Sequence, residues 1–201
     1  MTQNKNFRCK SWLFTISVLV FNLITIQYSH AQSRFTATEV SVKVTGTSTM
    51  HDWEMQSDNA ESEVQLSLNE EGQPEHMESV TLRLSKTSLK SERAGLDGRA
   101  HDAMKAEKHP EIVFITNGSG SLEKNGDGYI IATSGDLTIA GVTRQVSVKA
   151  YCVNGDESKL ICTGSSELKM SDFNIDPPSM ALGAFRTGDE ITIQYRVAYT
   201  K

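Results

Sequence analysis

Residues able to do chemistry fall into three groups in this chain. His51-Asp52 lies in "STMHDWEM", His101-Asp102 recurs in "GRAHDAMK", and Cys152 and Cys162 sit further on. A His beside an Asp can ligate a metal or work as an acid-base pair only when both converge with further ligands at coordinating distance. Neighbours on a strand point to opposite faces, and neighbours on a helix diverge by about 100°. The elements that carry the dipeptides must therefore decide their meaning.

Those elements read as strands. Val40, Val42 and Val44 interleave with polar residues, as do Val64, Leu66 and Leu68, then Val80, Leu82 and Leu84. Leu137 and Ile139 continue the pattern, followed by Val146, Val148, Ala150 and Cys152, by Leu160 and Cys162, and by Ile191, Ile193, Tyr195, Val197 and Tyr199. Period two in some eight segments, broken by "EEGQPE", "NGSGSLEKNGDG" and "NGDES", is an antiparallel all-β signature with one wet and one dry face per strand. Such strands must roll into a barrel or pair as two sheets.

A single segment departs from the alternation. In "LDGRAHDAMKAEKHPEI", Asp97 can cap a short helix, Ala100, Ala103 and Met104 fall on one stripe, and Pro110 forbids continuation. The spacing predicts a helix from about Gly98 to Lys108. One His-Asp pair thus begins a strand and the other rides a helix, which argues against a joint metal or catalytic site. His76 and His109 are read as solvated loop residues, no serine lies in a nucleophile elbow, and "GSGSLEKNGDG" leads into a strand, without the helix that cradles phosphate. Neither a catalytic residue nor a metal ligand is assigned.

The cysteines fit a hairpin. If the chain turns at "NGDES", Cys152 and Cys162 face each other across two strands, near enough for a disulfide. A reduced, buried pair is the alternative, and an exported protein favours the bridge. Export is what the first residues suggest: Lys5, Arg8 and Lys10, an apolar run from Trp12 to Ile26, then Ser29-His30-Ala31. Residues 1–31 read as a cleaved signal peptide and 32–201 as one domain, with Cys9 misplaced for lipidation. Removing three bases and no acid takes the net charge from −5 to −8. A chain so acidic is not expected to bind nucleic acid, and any membrane contact is expected to be transient.

Three stretches, "GLDGRAHDAMKAEKHPEIVF", "GDLTIAGVTRQVSV" and "MSDFNIDPPSMALGAFRTGDEITIQY", together resemble the YceI-like family of exported bacterial proteins, over Phe35 to Tyr199. Gly135 to Thr138 with Gly141 to Thr143 resemble its strand-turn-strand motif, and Ser171-Asp172-Phe173 with Gly188-Asp189-Glu190 its C-terminal signature. Asn174 stands where many relatives have glycine, and asparagine tolerates a left-handed backbone. The segment before the helix differs from the branch with an Arg-Asp-x-His-Leu pattern, so no head-group contacts are carried over. The resemblance implies a lipocalin-like antiparallel barrel that holds a long amphiphile, typically a polyisoprenoid, in a family with no catalytic activity established for it as a whole, and no other cofactor is expected.

With about eight strands, a barrel is just wide enough for side chains or one slim ligand. The expected lining is Val42, Val44, Leu66, Leu82, Leu84, Phe114, Leu137, Ile139, Val146, Val148, Ile193 and Tyr195. Met104 lies on the helix capping one mouth, and Phe173 and Phe185 are placed near an entrance. The leading expectation is a periplasmic or secreted carrier of an isoprenoid or other long-chain lipid. A stress-protective or interaction protein with a filled barrel is the alternative, and a metal hydrolase at His51 or His101 comes last. The oligomeric state is left open, a homodimer included.

Overall fold

The computed structural model describes residues 32–155, 159–180 and 184–201. The expected signal peptide and the tip of the cysteine hairpin, Asp156 to Ser158, lie outside the described residues.

Among the described residues, eleven strands follow one another: β1 (Gln32–Ser48), β2 (Trp53–Ser57), β3 (Ala60–Leu68), β4 (Pro74–Ser85), β5 (Glu111–Thr116), β6 (Ser121–Asn125), β7 (Gly128–Ile139), β8 (Val142–Asn154), β9 (Leu160–Lys169), β10 (Ser179–Met180) and β11 (Phe185–Thr200). A helix, α1 (Ala94–Ala103), lies between β4 and β5. Every pairing is antiparallel, and β11 pairs with β1 to close the ring β1-β3-β4-β5-β7-β8-β9-β11. Of the two arrangements open to such strands, the chain adopts the closed barrel of eight. Two places in the ring are shared by broken strands. Beside β1, β3 pairs with Gln32–Thr36 and β2 with Val42–Gly46; beside β7, β5 and β6 divide the edge in the same way. The barrel is elongated, since a strand of 17 residues such as β1 spans roughly 55 Å.

Alternation sets the inner face. On β1, Val40 and Val42 are buried, and on β3 Ser62, Val64 and Leu66 are buried. At the end that holds the start of β1, the inside is solid. Phe35, Leu66, Met77, Ile131, Cys152, Leu160 and Tyr199 pack in one cluster, with Leu66 and Met77 wholly inaccessible. The Tyr199 hydroxyl and the Ser62 hydroxyl share a hydrogen bond of 2.8 Å, and Ser62 Oγ also donates to the Thr81 carbonyl, so the polar atoms sealed there are satisfied. Cys152 faces Cys162 in the β8–β9 register and the two form a disulfide, as the hairpin reading expects.

β7 and β8 join through Ala140 and Gly141, both with positive φ (53° and 81°), the mirror-image turn that suits the twist of a two-residue hairpin. Asn174 is likewise left-handed, at φ 53°.

The helix is displaced from its expected place. It begins at Ala94, with Arg93 rather than Asp97 at the cap, and ends at Ala103, where Lys105 turns left-handed (φ 56°) before Pro110 is reached. Asp97 therefore sits in the first turn, and its carboxylate accepts hydrogen bonds from the Ser91 amide and hydroxyl, both 2.7 Å. Those bonds hold its pKa below the ordinary carboxylate range.

Candidate ligand chamber

At the opposite end of the barrel from the solid core, α1 lies over the mouth. Leu96, Ala100, Ala103 and Met104 face a chamber whose other walls are Val44, Trp53 and Met55 from β1 and β2, Ile112 and Ile139, and Ile191 and Ile193 from β11. The 3₁₀ turn Met170–Phe173 after β9 folds inward, so Met170, Phe173 and then Ile175 close the side next to β8. The free volume is about 90 Å³ and its surface is almost wholly apolar. Pockets that hold a small ligand usually offer about 300–1,000 Å³. A long chain can enter only if the walls give way, and three of them are methionines, whose unbranched side chains repack readily.

Three polar ties fasten α1 over the mouth. Besides the Asp97 contacts, the His101 ring donates from Nε2 to the Leu89 carbonyl at 2.9 Å. Lys86, wholly buried, donates from Nζ to the carbonyls of Met104, at 3.2 Å, and His109. Burial lowers its pKa, and its donors satisfy the carbonyl at the helix end, Met104, and one further along the linker to β5, His109. Sequence reasoning passed over this lysine because nothing local marks a basic residue that turns inward.

The expected lining residues separate by depth. Val44, Met104, Ile139, Phe173 and Ile193 line the chamber. Val42, Leu66 and Leu84 are instead filled core, 5%, 0% and 2% exposed. Leu82 touches both clusters, and Phe114 and Leu137 are packed behind Ile139 in the second. Val146 and Val148 are half-buried on β8 against that second cluster, and Tyr195 packs on the first. Phe185 stands at an outer rim, 40% exposed, but Phe173, placed near an entrance by the sequence reading, is 1% exposed, because the 3₁₀ turn carries it inside. Trp53, Met55, Leu96, Ile112, Met170 and Ile191 are walls that the reading missed. Ile112 and Ile191 continue the inward parity of Phe114 and Ile193, and could have been found from it.

The two His-Asp pairs serve separate local roles. His51 is exposed ahead of β2, where its Nε2 accepts from the Arg93 guanidinium, whereas His101 is bound to Leu89. Among the described residues, no group of three or more His, Cys, Asp or Glu side chains is placed to hold a metal ion. His109 is exposed, its ring lying against Gly141, where a Cβ would overlap it.

The barrel resembles solved structures at low sequence identity. Burkholderia cenocepacia BcnA superposes with a TM-score of 0.61 at 16% identity, over 80% of this chain and 96% of that one. A polyisoprenoid binding domain from Saccharophagus degradans, implicated in plant cell wall breakdown, gives 0.58 at 10% identity, over 84% and 98%. In sequence, the chain is 31% identical to Protein YceI of Escherichia coli O17:K52:H18 over 103 residues, 48% of this chain and 51% of that protein. It is 28% identical over 116 residues to the UPF0312 protein plu2095 of Photorhabdus laumondii, 54% and 57% respectively. The chain thus spans about half the length of the curated relatives it matches. Over nearly all of its own length, residues 24–199, it matches the YceI-like domain, and the chain belongs to that family.

Proposed function

We propose that this protein is an exported, non-catalytic binding protein that takes up the chain of an isoprenoid or similar amphiphilic lipid for carriage or sequestration. The observation that carries the reading is the apolar chamber beneath α1, at one end of a ring whose other end is filled. The barrel domain of S. degradans, named for polyisoprenoid binding, supports the same ligand class. A chain of 20 heavy atoms at roughly 0.3 kcal/mol each gains only about 6 kcal/mol, weaker than micromolar, so stable retention calls for about 30 atoms or more. Periplasmic or secreted residence fits the amino-terminal pattern and the disulfide.

A specific observation favours the second reading, an interaction or stress-protective protein: the chamber is small and the deeper lumen is packed solid. Mass spectrometry of a solvent extract of natively purified protein separates the two. A stoichiometric long-chain lipid is expected. Lipid-free protein that also binds no isoprenoid in titration removes the carrier reading and leaves the second.

A further inference from the structure

On the side of the chamber next to β8, the barrel wall is not made of paired strands. β8 and β9 are joined from Ala150↔Gly164 to Asn154↔Leu160; beyond that, β8 continues against β7 and β9 against β11, and among the described residues no pairing links 142–149 to 165–169. The 3₁₀ turn Met170–Phe173 closes this seam from inside. Outside it lies a cavity of about 1050 Å³, and Phe173 and Ile191 are walls of both that cavity and the chamber. A free volume of about 90 Å³ is thus separated from a much larger one by side chains, where elsewhere a ladder of backbone bonds would stand.

Alternation gives the seam two different sides. Val146 and Val148 on β8 and Leu168 on β9 turn inward, half-buried, and pack against the cluster that holds Phe173. Gln145, Ser147, Glu167 and Lys169 turn outward and are exposed. The turn that covers the inward row is fastened by one carboxylate: Asp189 accepts from the Ser171 amide at 2.8 Å and from its hydroxyl at 2.6 Å. Those bonds join the two signature stretches noted in the sequence, Ser171-Asp172-Phe173 and Gly188-Asp189-Glu190. Within the turn, the Asn174 amide donates to the Ser171 carbonyl at 3.1 Å and the Ile175 amide to the Met170 carbonyl at 3.2 Å. A single 3₁₀ turn, with poorer hydrogen-bond geometry than an α-helix, is easier to displace than a strand of the ladder.

We propose that the inner side of the β8–β9 seam is the distal part of the chain site: the Met170–Phe173 turn swings toward the outer cavity, and the far end of a long apolar chain passes Phe173 to lie along Val146, Val148 and Leu168. The chain then covers the inward side chains and leaves the unpaired amides of the two strand edges to water in the outer cavity, so that no polar backbone group is sealed against hydrocarbon. A short chain is served by the chamber and its methionines, and only a long one needs the turn to move. Chain length is therefore read at Phe173. The assignment rests on the lipid-binding reading of the chamber and adds to it where the rest of a long chain goes.

The test titrates delipidated protein, its disulfide intact, with geraniol and with geranylgeraniol, a chain twice as long, following Trp53 emission and heat. Geranylgeraniol is expected to bind at least about tenfold more tightly. V146W and L168W, which put an indole into the seam from either edge, should cut that gain to within about twofold by weakening the longer chain. D189A, which removes the acceptor for Ser171, should speed uptake of geranylgeraniol several-fold but not that of geraniol, with faster hydrogen exchange at the Asn174 and Ile175 amides. In case the tryptophan variants fail to fold, a geranylgeraniol analogue carrying a diazirine at its hydrocarbon end is photolysed in the unsubstituted protein. Its label should fall on residues 146–148, 166–168 or Phe173. A length gain that survives both tryptophans, label confined to α1, β1 and β11, or unaltered uptake in D189A overturns the seam site. Geraniol binding with no gain from the longer chain removes the seam alone, whereas failure of both alcohols to bind removes the chamber reading together with it.

Discussion

Tyr195 on β11 donates its hydroxyl to the backbone carbonyl of Lys149 on β8, 3.0 Å away, reaching across the intervening strand β9 above Gly164. The contact sits where two strands part. β8 and β9 are paired only from Ala150↔Gly164 to Asn154↔Leu160; beyond that, β8 stays with β7 and β9 with β11. Just past the fork, Ser166 Oγ is buried without a hydrogen-bond partner. Gly164 is required here because a Cβ would overlap the tyrosine hydroxyl.

Tyr195→Phe should therefore lower stability by about 0.5–1.5 kcal/mol, the usual loss for one intramolecular hydrogen bond. Gly164→Ala, which forces the ring off the seam, should lose about 1–3 kcal/mol. Denaturant melts of both variants give the comparison, and equal stability of all three proteins would show the latch to be idle.

The same phenol predicts an alkaline limb. Burial, reinforced by the neighbouring Tyr199, pushes the Tyr195 pKa up to about 12 from 10.0. The folded state prefers the neutral phenol, so its contribution is intact below pH 10 and is lost as pH rises through about 12. Melting midpoints should stay level up to pH 10 as far as this group is concerned and then fall. Tyr195→Phe should show a shallower fall, the remainder belonging in part to Tyr199, whose pKa burial also raises. An unchanged slope in the variant would contradict the assignment.

The disulfide should be a stability device with no influence on the ligand. Cys152 and Cys162 belong to the solid end of the barrel, away from the chamber walls. They close a loop of sequence separation 10, which constrains the unfolded chain by roughly 2 to 3 kcal/mol. Reduction should lower the midpoint accordingly while chain affinity stays within about twofold. Loss of binding in the reduced but still folded protein would mean that the two ends of the lumen are coupled.

What could be read without coordinates, and what could not, follows from what alternation encodes. Inward parity of Val42, Leu66 and Leu84 is legible, but parity says nothing about depth along the axis, so residues packed in the filled core carry the same pattern as chamber-lining residues such as Val44 and Ile193. The cysteine register was legible because a short hairpin fixes its own pairing. The seam was not, since β8 and β9 alternate in the same way where they are paired and where they part. The helix was misplaced because Asp97 can serve either as a cap or, as here, reach back from the first turn to Ser91.

Filling the chamber should separate folding from binding. Ala103 faces the free volume of about 90 Å³ from α1, and Ala103→Leu adds three carbons into that space without disturbing a hydrogen bond. Stability should stay level or rise by up to about 1 kcal/mol, as for other cavity-filling changes, while co-purified chain falls several-fold. Leu84→Trp is a poorer probe, because Leu84 is 2% exposed in filled core and overpacking there costs about 1–3 kcal/mol. A leucine variant that still carries a full complement of lipid would move the binding site out of this chamber.

Lys86 should act as the tie that sets how fast α1 lifts. Its ammonium spans the carbonyls of Met104 and His109, and its own amide donates to the Pro110 carbonyl at 2.8 Å, so one residue clamps the linker from α1 to β5. Lys86→Met keeps the aliphatic stem and removes the donors. Two terms then oppose each other: orphaned carbonyls cost about 1–3 kcal/mol, and relief of a buried, desolvated charge returns a similar amount. Global stability should change little, whereas the helix end, left without its tie, should open more often. Hydrogen exchange should quicken at the amides of Lys105, Ala106, Lys108 and His109 with the strands unaffected, and a preloaded chain should dissociate several-fold faster. Strand amides losing protection in parallel would make Lys86 a support of the whole barrel, and an unchanged off-rate would show that the chain leaves by another route, the β8–β9 seam being the alternative that the fold provides.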